Sequence, residues 1–221
     1  MINGHTMYKT IIFDLDGTLL DTLDDLKNAT NAALRKFELK TRTREEVRSF
    51  VGNGIKKLIE RALGEHTANF DEVLADFKRY YGEHCADETK PYEGILPLLT
   101  ALKARGVKTA VLSNKADFAV KKLAKAYFDG LLLGAVGENE EAGIRKKPAP
   151  DALFAVMKEL NAEKETTLYV GDSEVDIETA KNAGVACLCV TWGFRDRAFL
   201  EAQGGALFVD EPMEILEYCK G

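Results

Sequence analysis

A chain of 221 residues, 46% hydrophobic and 30% charged, is long enough to bury a full core, as one domain or as one domain with a smaller insertion. Thirty Lys and Arg against 36 Asp and Glu leave a formal net charge of −6 and no basic block, which argues against nucleic acid as a partner; small anionic ligands stay open wherever lysines or a cation gather locally. Four cysteines (Cys85, Cys187, Cys189, Cys219) lack CxxC spacing, the start carries no secretory pattern, and no stretch approaches the roughly 18 apolar residues of a spanning helix, so a cytoplasmic setting without a membrane partner is expected.

In chain order, the apolar run Ile11-Ile12-Phe13 predicts a buried strand that ends in Asp14-Leu15-Asp16-Gly17-Thr18. The strand therefore delivers two acids to a sheet edge, and Gly17 allows a turn or a close ligand approach there. Apolar residues at helical spacing from Leu23 to Phe37, after a plausible cap at Thr22-Leu23-Asp24-Asp25, predict a long helix. Three more are expected at 44–50, 55–63 and 70–81, with a break at Val51-Gly52-Asn53-Gly54. An all-helical block between one strand and the next is more than a βαβ crossover requires and reads as an insertion.

From Pro91 the chain alternates. Helices are predicted at 95–104, 116–126, 150–160, 173–182 and 213–218, and apolar strands at 107–112, 131–133, 167–170, 186–190 and 206–209. Continuous apolar strands between helices predict an α/β fold whose parallel sheet is covered on both faces.

Each remaining chemical signal follows a predicted strand. Ser113-Asn114-Lys115 offers a hydroxyl, an amide and free N–H groups for an anion, or simply an N-cap. Arg145-Lys146-Lys147-Pro148 aims a cation at the next helix, or forms a solvated basic surface. Gly171-Asp172-Ser173-Glu174-Val175-Asp176 places two acids one helical turn apart. Such acids crowded beside Asp14 and Asp16 would repel unless a cation or proton joined them, and oxygen donors alone suit Mg²⁺ better than zinc.

In order and spacing these four segments resemble the haloacid dehalogenase superfamily of aspartate-nucleophile phosphatases, over nearly the whole chain. The resemblance implies a Rossmann-like parallel core of residues 1–20 and 91–221 and an inserted C1-type helical cap of residues 21–90. It implies that Asp14 is the nucleophile and Asp16 the general acid and base. Mg²⁺ would lie on Asp14, the Asp16 backbone carbonyl and Asp172, with Asp176 supporting the metal shell. Gly17, Thr18, Ser113, Asn114 and Lys147 would serve the phosphate, Lys147 being chosen over Lys146 because it directly precedes proline. Dehalogenases and phosphonate-cleaving relatives lack an acid at the position of Asp16, so phosphate esters or mutase chemistry are implied.

Gly52-Asn53-Gly54 before a helix exposes N–H groups at a positive helix end, a seat for a small carboxylate or merely a turn with an N-cap. With Ser113-Asn114-Lys115 it is most similar to the phosphoglycolate phosphatase branch, which implies a small phosphorylated substrate and a monomer or small homo-oligomer. A phosphomutase or pyrophosphatase on the same scaffold, or a phosphate-binding regulatory protein, are the alternatives.

Overall fold

The computed structural model describes residues 7–66, 69–139, 143 and 145–219. A six-stranded parallel sheet has the order β5-β4-β1-β6-β7-β8, formed by β1 (Thr10–Phe13), β4 (Lys108–Ala116), β5 (Gly134–Glu138), β6 (Thr167–Gly171), β7 (Ala186–Val190) and β8 (Phe208–Val209). β1 is central and wholly buried, with Phe13 level with Val111 on one side and Val170 on the other.

The two-residue period of β1 divides the core. Ile11 and Phe13 face a cluster containing Leu98 and Leu102 of α5 (Ile95–Ala104) and Val120 and Leu123 of α6 (Asp117–Phe128). Ile12 faces Leu153 and Val156 of α7 (Asp151–Glu159) and Ala180 and Ala183 of α8 (Glu174–Ala183). Two covered faces explain why the strands read as continuous apolar runs.

Between β1 and α5 lie α1 (Leu23–Lys36), α2 (Arg44–Phe50), α3 (Ile55–Leu63) and α4 (Phe70–His84), bracketed by the antiparallel pair β2 (Leu20–Asp21) and β3 (Lys90–Pro91). Leu26, Leu34, Val47, Leu58, Ile59, Val73 and Phe77 form the buried interior of this block. Thr43 and Glu46 make a reciprocal capping box on α2. The buried Asp25 carboxylate accepts the N–H groups of Glu88 and Thr89, tying the exit of the block to its first helix. Among the described residues, no helix is long and apolar enough to cross a membrane.

Several local expectations need correction. Thr22 makes no side-chain cap, and its buried hydroxyl has no hydrogen-bond partner; Asp21 accepts the Leu23 N–H instead. Leu131-Leu132-Leu133 is not a strand: the Asp129-Gly130 turn carries it to the surface, Leu133 is 67% exposed, and pairing begins one residue later at Gly134. The last predicted helix is a 3-10 helix over Pro212–Tyr218, opened by Pro212 at its first turn. A short helix, α9 (Arg197–Ala202), has no counterpart in the expected elements; Asp196 caps it by accepting the Phe199 N–H.

Candidate active site

The C-terminal edge of the sheet collects the predicted chemistry. Asp14 leaves the end of β1 with its N–H still donating to Val170 O at 2.8 Å, so the central strand fixes it. β4 on one side brings Ser113, and the end of β6 on the other brings Asp172. Ligands bind at this edge in open parallel sheets because strand ends and helix starts converge there.

Lys147, 3% exposed, enters from the loop before α7. Its ammonium donates to Asp14 Oδ1 at 2.8 Å, Asp176 Oδ1 at 2.7 Å and the Tyr169 hydroxyl at 3.0 Å, one acceptor for each of its three protons. Burial works against this charge, but Asp14 and Asp176 override it and hold the Lys147 pKa well above its ordinary value. The Tyr169 hydroxyl also lies 3.2 Å from the Leu112 carbonyl, to which it can donate. Asp176 Oδ2 accepts from the Ser173 N–H at 3.1 Å and hydroxyl at 2.6 Å, so both Asp176 oxygens are engaged.

Asp172 Oδ2 accepts the Phe194 N–H at 2.6 Å, and the Thr18 hydroxyl approaches Oδ1 at 3.5 Å. Burial, reinforced by Asp176 and Asp14, pushes Asp172 well above the usual carboxylate range. Burial likewise pushes Asp14 up to about 7 against the pull of Lys147, with Asp176 and Asp16 adding to the rise. One oxygen each of Asp14, Asp172 and Asp176 lies within 4.8 Å of the others. A Cβ on Gly17 or Gly193 would sit inside the Asp172 side chain, and one on Gly171 inside that of Asp176, so glycine is required for these acids to reach their places. Three buried carboxylates facing one lysine are short of positive charge, and an all-oxygen donor set fits a hard divalent cation.

This charge imbalance has a pH signature. Between the ordinary 3.8 and about 7, folded protein holds a proton on Asp14 that unfolded protein does not, so this group's contribution to metal-free stability falls as pH rises through that window. A divalent cation bound to Asp14 would have to displace that proton at pH 6 but not at pH 8. Thermal melts are therefore expected to show a larger Mg²⁺-induced rise in melting temperature at pH 8; equal rises at both would exclude Asp14 as the titrating ligand.

The cavity above these residues encloses about 50 Å³ and is lined by Asp14, Asp16, Ser113, Asn114, Lys115 and Lys147 from below. Leu26, Ile55 and Leu58 of the helical block form an apolar wall. The Ser113 hydroxyl accepts the Lys115 N–H at 3.3 Å, which leaves its own proton to donate. The Asn114 amide donates to Lys147 O at 2.9 Å and Gly52 O at 3.2 Å and accepts the Lys147 N–H, so its side chain holds the Lys147 backbone. Gly17 and Thr18 pack on Asp172 and support that acid.

Gly52 and Gly54 border the cavity at φ of 112° and 84°, whereas Asn53 accepts from Arg61 at 2.8 Å. A Cβ on Gly54 would come within 2.9 Å of Glu138 Oε2, so a carboxylate of the core already approaches the start of α3.

Two arginines join the helical block to the loop after β7. Arg48 of α2 donates to Phe194 O at 2.7 Å and Gly193 O at 2.9 Å. Arg195 returns the contact, donating to Arg48 O at 2.9 Å, Val51 O at 3.0 Å and Glu174 at 3.1 Å. The same loop supplies the Phe194 N–H to Asp172. These arginines, Tyr169 and the environment of Lys115 were not foreseen from sequence.

Residues 11–190 match a family model described as haloacid dehalogenase-like hydrolase. The phosphoglycolate phosphatase of Pseudomonas syringae pv. tomato is 34% identical over 221 residues, covering 96% of this chain and 79% of that protein. The phosphoglycolate phosphatase of Aquifex aeolicus is 35% identical over 191 residues, covering 84% and 86%. The crystal structure of a candidate phosphoglycolate phosphatase from Lactobacillus delbrueckii subsp. bulgaricus superposes with a TM-score of 0.92 at 36% identity, over 97% of this chain and 99% of that one. With a family match running from the first strand of the sheet through β7, and with the acids of the site gathered at the sheet edge, the chain belongs to the haloacid dehalogenase-like hydrolase family.

Proposed function

We propose that this hydrolase is a magnesium-dependent phosphatase that cleaves small phosphomonoesters through an aspartyl-phosphate intermediate, with 2-phosphoglycolate or a similarly small carboxylated phosphate as substrate. Residues 21–90 act as a cap over a core made of residues 1–20 and 91–221. The observation that carries this reading is the setting of Asp14. It is a buried carboxylate at the end of the central strand, bonded to Lys147, grouped with Asp172, and two residues from a second acid that lines the same cavity.

In the first half-reaction an Asp14 oxygen bonds to phosphorus as the ester P–O bond breaks, and Asp16 gives its proton to the departing oxygen. In the second, Asp16 takes a proton from water as that water attacks phosphorus, releasing phosphate and restoring the Asp14 carboxylate. Ser113 donates to a phosphoryl oxygen, and Lys147 offsets negative charge beside Asp14. Mg²⁺ held by Asp14, the Asp16 carbonyl and Asp172, with Asp176 in support, would reduce the repulsion between an anionic nucleophile and an anionic phosphate. A compact carboxylated substrate is in keeping with the names of the relatives, and the apolar wall of the helical block helps keep water from the leaving group.

Phosphate release from 2-phosphoglycolate, glucose 1-phosphate, nucleotides and pyrophosphate, with Mg²⁺ or EDTA, tests the reading. The expected result is a kcat/KM for 2-phosphoglycolate at least about tenfold above the others, lost in EDTA. Preferred hydrolysis of another compound would keep the chemistry and overturn the substrate. Isomerised sugar phosphate would identify a mutase, and no metal-dependent turnover at all would point to a binding protein.

A further inference from the structure

Three cations line the cavity among the described residues: Lys147, Arg195 and Lys115. The first has three acceptors for three protons, and the second is engaged with Arg48 O, Val51 O and Glu174. Lys115 differs. Its side chain is 2% exposed, yet its ammonium makes one hydrogen bond, to Asp16 Oδ1 at 2.7 Å. It otherwise lies over the face of Tyr81, 4.8 Å from the ring centroid. A buried ammonium carries three donors; beyond Asp16 its neighbours among the described residues are the Tyr81 ring and hydroxyl, so Lys115 keeps a donor to offer at the wall of a cavity.

The position of these donors is informative. Asp16 serves the leaving oxygen in the proposed chemistry, so Lys115 stands on the leaving-group side, whereas Ser113 and Lys147 stand around the phosphoryl group. The other walls there are Leu26, Ile55 and Leu58, which offer no charge. The alternative seat, the start of α3, is already approached by the Glu138–Lys146 ion pair at Gly54. From this geometry we infer that Lys115 is a specificity-determining residue whose ammonium receives the carboxylate of the substrate's leaving group, one methylene beyond the ester oxygen.

This assignment rests on the substrate class proposed above and supplies the group that recognises it. An incoming carboxylate gives Lys115 a further charged acceptor, and the apolar wall strengthens the attraction by excluding water. A neutral leaving group of the same size leaves the ammonium as it was. Discrimination therefore comes from a site built for an anion that a methyl group cannot satisfy.

The test compares 2-phosphoglycolate with ethyl phosphate, in which a methyl group replaces the carboxylate, on wild type, Lys115→Gln and Lys115→Arg. Wild type is expected to prefer 2-phosphoglycolate. Lys115→Gln is expected to lower kcat/KM for 2-phosphoglycolate by roughly 10- to 100-fold more than for ethyl phosphate, the size of one charge-assisted hydrogen bond. An equal loss on both substrates would mean that Lys115 only positions Asp16, and would overturn the assignment while leaving the substrate class intact. Absence of any preference in wild type would instead overturn the substrate class. If Lys115→Gln does not fold, Lys115→Arg decides. With the cation retained it must still discriminate, and a folded, active arginine variant blind to the carboxylate overturns the assignment.

Discussion

Asp14→Asn is expected to reduce phosphate release by roughly 10⁴-fold or more, the scale seen when a covalent nucleophile is removed. Asparagine matches aspartate in shape and can still accept a hydrogen bond from Lys147, so the loss reads the missing carboxylate rather than a collapsed site. A second expectation separates the two. Because burial raises the Asp14 pKa to about 7, keeping this group ionised at pH 8 opposes folding in metal-free protein. The asparagine variant carries no such charge and should melt at or above wild type in EDTA at pH 8. Activity within tenfold of wild type, with contamination excluded, would sink the aspartyl-phosphate mechanism.

Lys147→Met should produce the largest loss of stability. It removes the cation from between Asp14 and Asp176 while leaving both acids in place, and Lys147 is 3% exposed, so solvent cannot substitute. Breaking a buried ion pair in this way costs about 3–5 kcal/mol, measurable by urea unfolding, because the remaining charges keep their desolvation penalty without a partner. Methionine fills much of the lysine stem's volume, so packing contributes little to the effect. Activity should fall as well, since Asp14 loses the donor that orients it. A loss below about 1 kcal/mol in metal-free protein would mean that the two acids hold their positions without this lysine.

How much of this was legible in the sequence follows from the range of each interaction. Asp14, Asp16 and Asp172 stand immediately after apolar strands, and a strand's end is a local pattern, so their arrival at one sheet edge could be read directly. A parallel sheet covered on both faces followed from the alternation of short apolar strands and helices in the same way. β5 was misplaced because it opposes its own propensity: Gly134 and Gly137 occupy it, and a Cβ on Gly137 would strike the backbone of Lys115 and Asp117. Tyr169 read as one more apolar strand residue, and only the fold reveals that its hydroxyl meets Lys147. Arg48 was invisible because its acceptors are main-chain carbonyls more than 140 residues away, which leave no complementary acid in the sequence; Arg195 reaches Arg48 O and Val51 O over the same range, besides its bond to Glu174.

That choice of acceptor bears on how such an enzyme can diversify. Every residue type carries a carbonyl, so the clasp between the helical block and the loop after β7 depends on the identity of Arg48 and Arg195 but not on the side chains at 51 and 194. Both Val51 and Phe194 line the cavity. Exchanging them alters the surface a substrate meets and leaves the bonds that close the site in place. At positions 51 and 194 the main chain thus holds two parts of the molecule together while the side chain shapes the space beside the acids.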